Sequence, residues 1–184
     1  LNIINKNSHR ANKLMNDLFE FSLYDNVDYK FNLVKGDISE FLRQIIANYI
    51  PEFEHNKFEY DFDIPEESYY IMMDEEKLTR AFNNILDNKL KYNPIGTAIG
   101  VKVEIRDLYF CIVFSDNGER IPEKYRENIF NPFVRVDRSR NSKTGGTGLG
   151  LSITKKIINK HHGGIRIIDS EIGTSFEIML PLVK

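Results

Sequence analysis

The sequence predicts an α/β (α+β) two-layer sandwich. A mixed, mostly antiparallel sheet is covered on one face by helices and preceded by a long N-terminal helix. Three observations predict it. Residues 1–24 contain neither proline nor glycine and carry apolar side chains at three-four spacing. Several short segments alternate strictly between apolar and polar residues, the period of a half-buried strand. Amphipathic helical stretches are interspersed with these strands, the pattern of one sheet sharing a core with a helical layer.

Each element has a local cause. In the first helix Leu1, Ile4, Ala11, Met15 and Leu18 form a coiled-coil-like seam interrupted by Ser8, with Leu14 and Phe21 beside it. Such a seam predicts packing on another helix or another chain. Asp25 and Asn26 break the helix, and the alternating residues 29–33 predict a short strand. Asp37 reads as an N-cap with Glu40 three residues on, as in a capping box. The following helix carries Phe41, Ile45, Ile46 and Tyr49, and Pro51 is expected to end or kink it. Residues 58–62 and 69–73 predict strands, and Asp74 starts a helix to about Tyr92. Residues 101–105 and 109–114 predict a hairpin around Arg106-Asp107. A helix over 151–161 stops at Gly163-Gly164, and strands over 165–168 and 175–180 close the chain. The irregular stretch over 116–150 is long for a compact domain, which predicts a functional lid or a disordered segment. Over 120–147 it is polar and aperiodic, so it is expected to have few apolar contacts and to be mobile without a ligand.

Composition narrows the function. A net charge of −2 forces no polyanion-binding face, so no nucleic-acid partner is expected. The single cysteine, Cys111, lies in an apolar run and reads as a buried thiol. No apolar run approaches the roughly 20 residues of a membrane span, so membrane contact is expected only through segments outside this sequence.

Three clusters carry chemistry. Asn84, Asn88, Lys91 and Tyr92 fall at i, i+4, i+7 and i+8 and share a helical face, opposite Leu78, Phe82 and Ile85. Amide oxygens can ligate Mg²⁺, an ammonium can meet phosphate, and a phenol ring can flank a base; the same residues also suit a solvated polar face. Asp116-Asn117-Gly118 ends an apolar strand. Its carboxylate can accept from an exocyclic amine, although the tripeptide is also ordinary turn chemistry. Gly146-Thr147-Gly148-Leu149-Gly150-Leu151 opens a helix, where small residues let a phosphate approach free backbone N–H groups.

In order and spacing these clusters resemble the boxes of histidine kinases. Asn84 to Asn88 with Lys91-Tyr92 resembles the N box. Asp116-Asn117-Gly118 with Ile121-Pro122 resembles the box after it. Phe130 to Phe133 with Arg135 resembles the F box, and Gly146 to Leu151 resembles the final glycine box. His162-Gly163-Gly164, Gly173 to Phe176 and Leu180-Pro181 resemble the closing strands. Within the family the sequence loosely resembles membrane sensors of the vancomycin-resistance type.

The resemblance implies a Bergerat-type (GHKL) fold and phosphoryl transfer in a two-component system, with ATP and Mg²⁺ as cofactors. It implies that Asn84 and Asn88 hold Mg²⁺, that Lys91 contacts phosphate, and that Tyr92 and Phe133 flank the nucleotide. Asp116 would accept from the adenine amine, Gly118 and Ile121 would line the base pocket, and Thr174 would sit below it. Arg135 would reach the γ-phosphate, with Asn84 and Lys91 completing the catalytic set. Gly146, Gly148, Leu149, Gly150 and Leu151 would cradle the phosphates. Residues 1–25 would be the second helix of the dimerisation and phosphotransfer hairpin, and 26–184 the ATP-binding catalytic domain. The implied partners are a response regulator, the hairpin's first helix with the acceptor histidine, and a second copy in the full-length protein. The implied location is the cytoplasmic side of a membrane-bound sensor.

None of His9, His55, His161 and His162 sits in an acceptor-histidine motif, so the chain alone is not expected to autophosphorylate. His161 and His162 end a helix, where a basic group suits the helix dipole. Two residues depart from the family pattern. Lys89 stands where the family usually has alanine, and it projects with Leu78 and Phe82 toward the buried side. There it must snorkel, pair or lose its charge, and an uncompensated charge would make Lys89→Ala stabilising. Arg120 stands where the family usually has glycine, and is strained if that position needs a positive φ. These two cations motivate an alternative, a nucleotide-poor module that docks a response regulator. A related GHKL protein kinase, such as an anti-sigma serine kinase, is a further alternative.

Overall fold

The structure, a computed structural model, describes residues 2–136 and 146–183. Helix α1 (Asn2–Asp25) is followed by β1 (Val34–Asp37), α2 (Ile38–His55), β2 (Glu59–Asp63), β3 (Tyr70–Met73) and α3 (Glu75–Tyr92). Then come β4 (Ala98–Arg106), β5 (Tyr109–Asp116), the one-turn α4 (Glu123–Arg126), α5 (Gly150–Lys160), β6 (Gly164–Ile168) and β7 (Ser175–Pro181). The main sheet has the order β2-β4-β5-β7-β6, and β1 pairs with β3 in a separate ribbon. Among the described residues only the β2–β4 pairing is parallel; the other main-sheet pairs are antiparallel. This is the mixed, mostly antiparallel sheet the sequence predicts.

Register explains the core. Val101 pairs with Phe114, which pairs with Phe176; Val103, Ile112 and Ile178 form the next row. These rows are buried on one face, where Leu42, Leu78, Phe82, Ile85, Ile153 and Ile157 of α2, α3 and α5 join the same core. On the other face Glu177 is buried between Arg106 and Arg166, with Arg166 Nε 2.5 Å from its carboxylate. Burial works to raise the Glu177 carboxyl, and the two guanidinium groups overcome it and hold it below the usual range.

Several local expectations change. Residues 29–33 form no strand: the rings of Tyr29 and Phe31 pack with Tyr24, and Phe31 with His161. The strand begins at Val34 instead. Helix α2 runs through Pro51 to His55. Asp37 does cap α2, its Oδ1 accepting from the N–H groups of Ser39 and Glu40, while the Glu40 carboxylate turns to Arg43 and Gln44. At the end of α5 the left-handed residue is His162, not a glycine. Gly163 is needed for space, because a β-carbon there would lie 2.4 Å from Met179 O. Residues 121–136 are better anchored than their polarity predicts. Ile129 and Phe130 are buried, and Phe130 packs edge-on against Phe176. The remainder of the expected lid, 137–145, lies outside the described residues, as do Leu1 and the side chains of Ile4 and His9.

Helix α1 lies against α5, where Lys156 pairs with Asp25 and stands over the Phe21 ring; Asp17 and Tyr24 of α1 are buried. Leu14, Met15, Leu18 and Phe19 stay exposed, Phe19 at 67 %. The described part of the seam therefore faces away from the body of the domain. Among the described residues no helix is long and apolar enough to cross a membrane.

Candidate functional site

The site is built where α3, the end of β5 and the start of α5 meet. Helix α3 is anchored by Asp74, whose carboxylate accepts from Lys77 N–H, and by its buried row Leu78, Ala81, Phe82, Ile85 and Leu86. That anchoring turns Asn84, Asn88, Lys91 and Tyr92 away from the sheet, the first three half-buried and Tyr92 exposed. Opposite them runs the glycine segment. A β-carbon at Gly150 would stand 3.3 Å from Asn84 Oδ1, and one at Gly146 would stand 2.9 Å from both Lys91 Nζ and Tyr92 Oη. Asn84 Nδ2 donates to Gly150 O at 3.2 Å and to Thr154 Oγ1 at 3.4 Å, which engages its amide nitrogen.

Gly148 adopts φ +76°, a conformation that side chains strongly disfavour. A β-carbon there would sit 3.0 Å from Phe133 Cα and 3.5 Å from Arg135 Cγ. Phe133 N–H donates to Gly148 O at 2.9 Å, and Phe133 itself is exposed with φ +64°. The F-box-like segment is thereby fastened to the glycine segment. Leu149 is fully buried and its N–H donates to Thr147 Oγ1. Leu151 is half-buried beside the same core.

The second half of the site surrounds Asp116. Its Oδ1 accepts from Gly118 N–H at 3.0 Å and Thr174 N–H at 3.2 Å. Thr174 Oγ1 donates to Glu119 O and accepts from Ile121 N–H, so Asp116, Gly118, Ile121 and Thr174 form one connected network. A β-carbon at Gly118 would lie 1.9 Å from Asn93 Oδ1, so a side chain there would require the Asn93 amide to move. Beside it lies an open depression of about 700 Å³, lined by Tyr92, Ile95, Thr97, Asn117, Gly118 and Glu119 among others.

Lys89 completes this half. It is only 2 % exposed and Asp116 only 7 %. Lys89 Nζ lies 2.5 Å from Asp116 Oδ2 and 2.6 Å from Thr174 O, with the Phe176 ring 5.1 Å away. Of the three outcomes open to an inward lysine, pairing is the one realised. Burial pushes the ammonium below its ordinary value, and the Asp116 carboxylate pulls the other way. Arg120 is not among the described residues with positive φ, so it carries no left-handed strain.

Sequence reasoning missed two contacts. Asp17 of α1 pairs with Arg80 of α3 and accepts from Thr147 Oγ1 at 2.8 Å, so the long helix touches the glycine segment directly. A polar residue on the helix face opposite the seam was the available signal. The other is His161, expected to be a dipole-facing cation. It is buried, its Nε2 accepts from Asp74 N–H at 3.0 Å, and its Nδ1 donates to Ile157 O at 2.8 Å. That pattern fixes the neutral ring, and burial holds it below the usual histidine value.

Comparison with known proteins bears on this geometry. The chain is 34 % identical to the sensor histidine kinase WalK of Bacillus subtilis over 98 % of its own length and 30 % of WalK. It thus spans about a third of the curated relatives it matches. Among solved structures, full-length ShkA in complex with AMPPNP superposes with TM-score 0.79 at 22 % identity, covering 94 % of this chain and 36 % of that one. Histidine kinase ThkA in complex with the response regulator TrrA gives TM-score 0.77 at 22 % identity, covering 99 % and 50 %. At these identities the two structures share the fold. Residues 73–184, from the lead into α3 to the last residue, match the family model described as histidine kinase-, DNA gyrase B- and HSP90-like ATPase. That match takes in every motif assembled above and more than half of the sequence, and the chain belongs to this ATPase family.

Proposed function

We propose that this chain is the ATP-binding catalytic part of a two-component sensor histidine kinase, with residues 1–25 the second helix of the phosphotransfer hairpin and 26–184 the catalytic domain. The observation that carries the proposal is the convergence of the Asn84, Lys91 and Tyr92 face on Gly146 and Gly150 at the start of α5. Small residues there leave room for a polyphosphate between an ammonium, an amide oxygen and a helix N-terminus. Asn84 suits Mg²⁺ because its amide nitrogen is engaged within the chain, which leaves the amide oxygen as the group to ligate; Asn88 stands one turn away. Mg²⁺ bound with the nucleotide would neutralise phosphate charge.

The chain's own groups then act by positioning and electrostatics. Lys91 binds phosphate, Arg135 stabilises charge on the transferred γ-phosphoryl, and the glycine segment gives backbone N–H donors. Tyr92 and Phe133 flank the nucleotide. Asp116, Gly118, Ile121 and Thr174 hold the base. The phosphoryl group passes to a histidine on a helix supplied from outside this sequence, which the exposed Leu14, Met15 and Leu18 row would receive, and thence to a response regulator. The full protein would be a homodimer with this domain in the cytoplasm.

Titration with Mg²⁺–ATP tests the reading, because ligand that binds only the folded state raises the melting temperature with concentration. Asn84→Ala should remove most of that rise. With γ-labelled ATP, acid-labile label should appear on an added acceptor helix and none on this chain alone. A melting temperature unmoved by millimolar Mg²⁺–ATP would favour the second reading, a nucleotide-poor docking module. The observation behind that reading is the Lys89–Asp116 pair.

A further inference from the structure

We propose that Lys89 is a specificity-determining residue that opens the base subsite to purines carrying a carbonyl, as well as an amine, at the 6-position. The inference rests on the nucleotide reading above and concerns what Asp116 presents to the base. Asp116 Oδ1 is committed to two backbone donors, Gly118 N–H and Thr174 N–H. Only Oδ2 is left to read a ligand, and Lys89 Nζ occupies one side of it at 2.5 Å. The ammonium is held in place by Thr174 O at 2.6 Å, so two of its three N–H groups are used.

A bare carboxylate in a base pocket accepts from an exocyclic amine and repels a carbonyl oxygen. A site built to pair with one such group discriminates strongly against an analogue that leaves it unpaired. A carboxylate with an ammonium beside it is different. Oδ2 keeps a lone pair for an amine, and the ammonium has a third N–H for a carbonyl. Either base edge then finds a partner at one place, and discrimination is small. The same pairing lowers the reward for adenine, because Oδ2 is already satisfied before any ligand arrives.

The test compares Mg²⁺–ADP with Mg²⁺–IDP, which differ at the purine 6-position and in the proton that N1 carries in IDP, by calorimetric titration of the full chain. The wild type should bind the two within about threefold. Lys89→Met removes the charge and keeps an apolar stem, and should widen the preference for ADP at least fivefold. Because that variant strands a buried carboxylate, Lys89→Met with Asp116→Asn is measured beside it. There the amide oxygen keeps the two backbone bonds and the amide nitrogen donates from the Oδ2 position, so IDP should now bind tighter than ADP. A widening of less than fivefold in Lys89→Met overturns the proposal. Where Lys89→Met does not fold, the double variant decides, and a retained ADP preference overturns it. Binding of neither nucleotide by the wild type takes down the nucleotide reading and this inference together, whereas binding with unaltered selectivity takes down this inference alone.

Discussion

The two halves of the site are built on opposite plans. Around Asp116 the polar groups are paired within the chain: two N–H donors on Oδ1, an ammonium on Oδ2, and Thr174 Oγ1 shared between Glu119 and Ile121. Around Gly146, Gly148 and Gly150 the polar groups of Asn84 and Lys91 converge on space that glycines leave. One half is settled by folding and the other is shaped for something to enter. Pairing matters more where water is excluded, since an unsatisfied buried charge costs far more than an exposed one. Substitutions at the Asp116 half should therefore act first on stability, and those at the glycine half first on ligand binding.

The largest expected break is Lys89→Ala. Read from sequence, the change should stabilise by removing a buried charge. With the pair in view, it removes one partner of a buried ion pair and leaves Asp116 uncompensated, which costs about 3–5 kcal/mol. Urea unfolding of the variant checks the sign. A gain in stability would mean that Asp116 is satisfied by its two backbone donors alone. A glycine pair comes next. Gly173 and Gly148 have φ of +71° and +76°, so alanine at either should cost about 1–2 kcal/mol from backbone conformation alone. A β-carbon at Gly173 would also lie 1.8 Å from Asp116 O, an immovable backbone atom, whereas at Gly148 the nearest atom is 3.0 Å away. Gly173→Ala should lower the melting temperature more, and Gly148→Ala should weaken Mg²⁺–ATP binding more. The reverse ranking would undo the contrast between the halves.

How much of this was legible follows from the same contrast. Helix α3, the β4–β5 hairpin and the closing strands were readable because period, cap and register agree locally. The glycine segment was readable because its residue types are unusual in combination. The partner of Lys89 was not readable, because helical geometry gives direction and not what waits 27 residues away on β5. The false strand at 29–33 failed for a related reason. Its alternating aromatics find Tyr24 and His161, partners distant in sequence or across a turn, and need no ladder. Positive φ at His162 and Phe133 was hidden because neither residue type advertises it.

Acid should expose a join that serves both halves. His161 at the end of α5 accepts from Asp74 N–H at the start of α3, and a protonated ring cannot accept. Its folded value lies below the ordinary 6.5. The stability it contributes is therefore fully present above pH 6.5 and is lost as pH falls from there toward the lower folded value. Stability measured by urea unfolding should decline over that window, and His161→Gln should flatten the decline. An unchanged slope in the variant would place the acid sensitivity elsewhere.

The smallest expected effect is at Arg120, and it sharpens the contrast by being nearly silent. The family resemblance makes the position strained only if it needs a positive φ, since a glycine is usual there. The backbone at Arg120 has no positive φ. Glycine would then relieve nothing in the folded state and would only give the unfolded chain more freedom. The expected result for Arg120→Gly is a loss of about 0.4–1 kcal/mol, the entropic cost of an added glycine at a conformation any residue can adopt. Nucleotide affinity should stay within twofold at both low and high salt, because relief of strain was the only route by which the change would have tightened binding. A drop in affinity confined to low salt would instead show that the guanidinium attracts phosphate through solvent, where added ions screen it. Tighter binding at both salts would show that the loop passes through a left-handed conformation when ligand enters, and would move Arg120 from the settled half of the site to the half that waits.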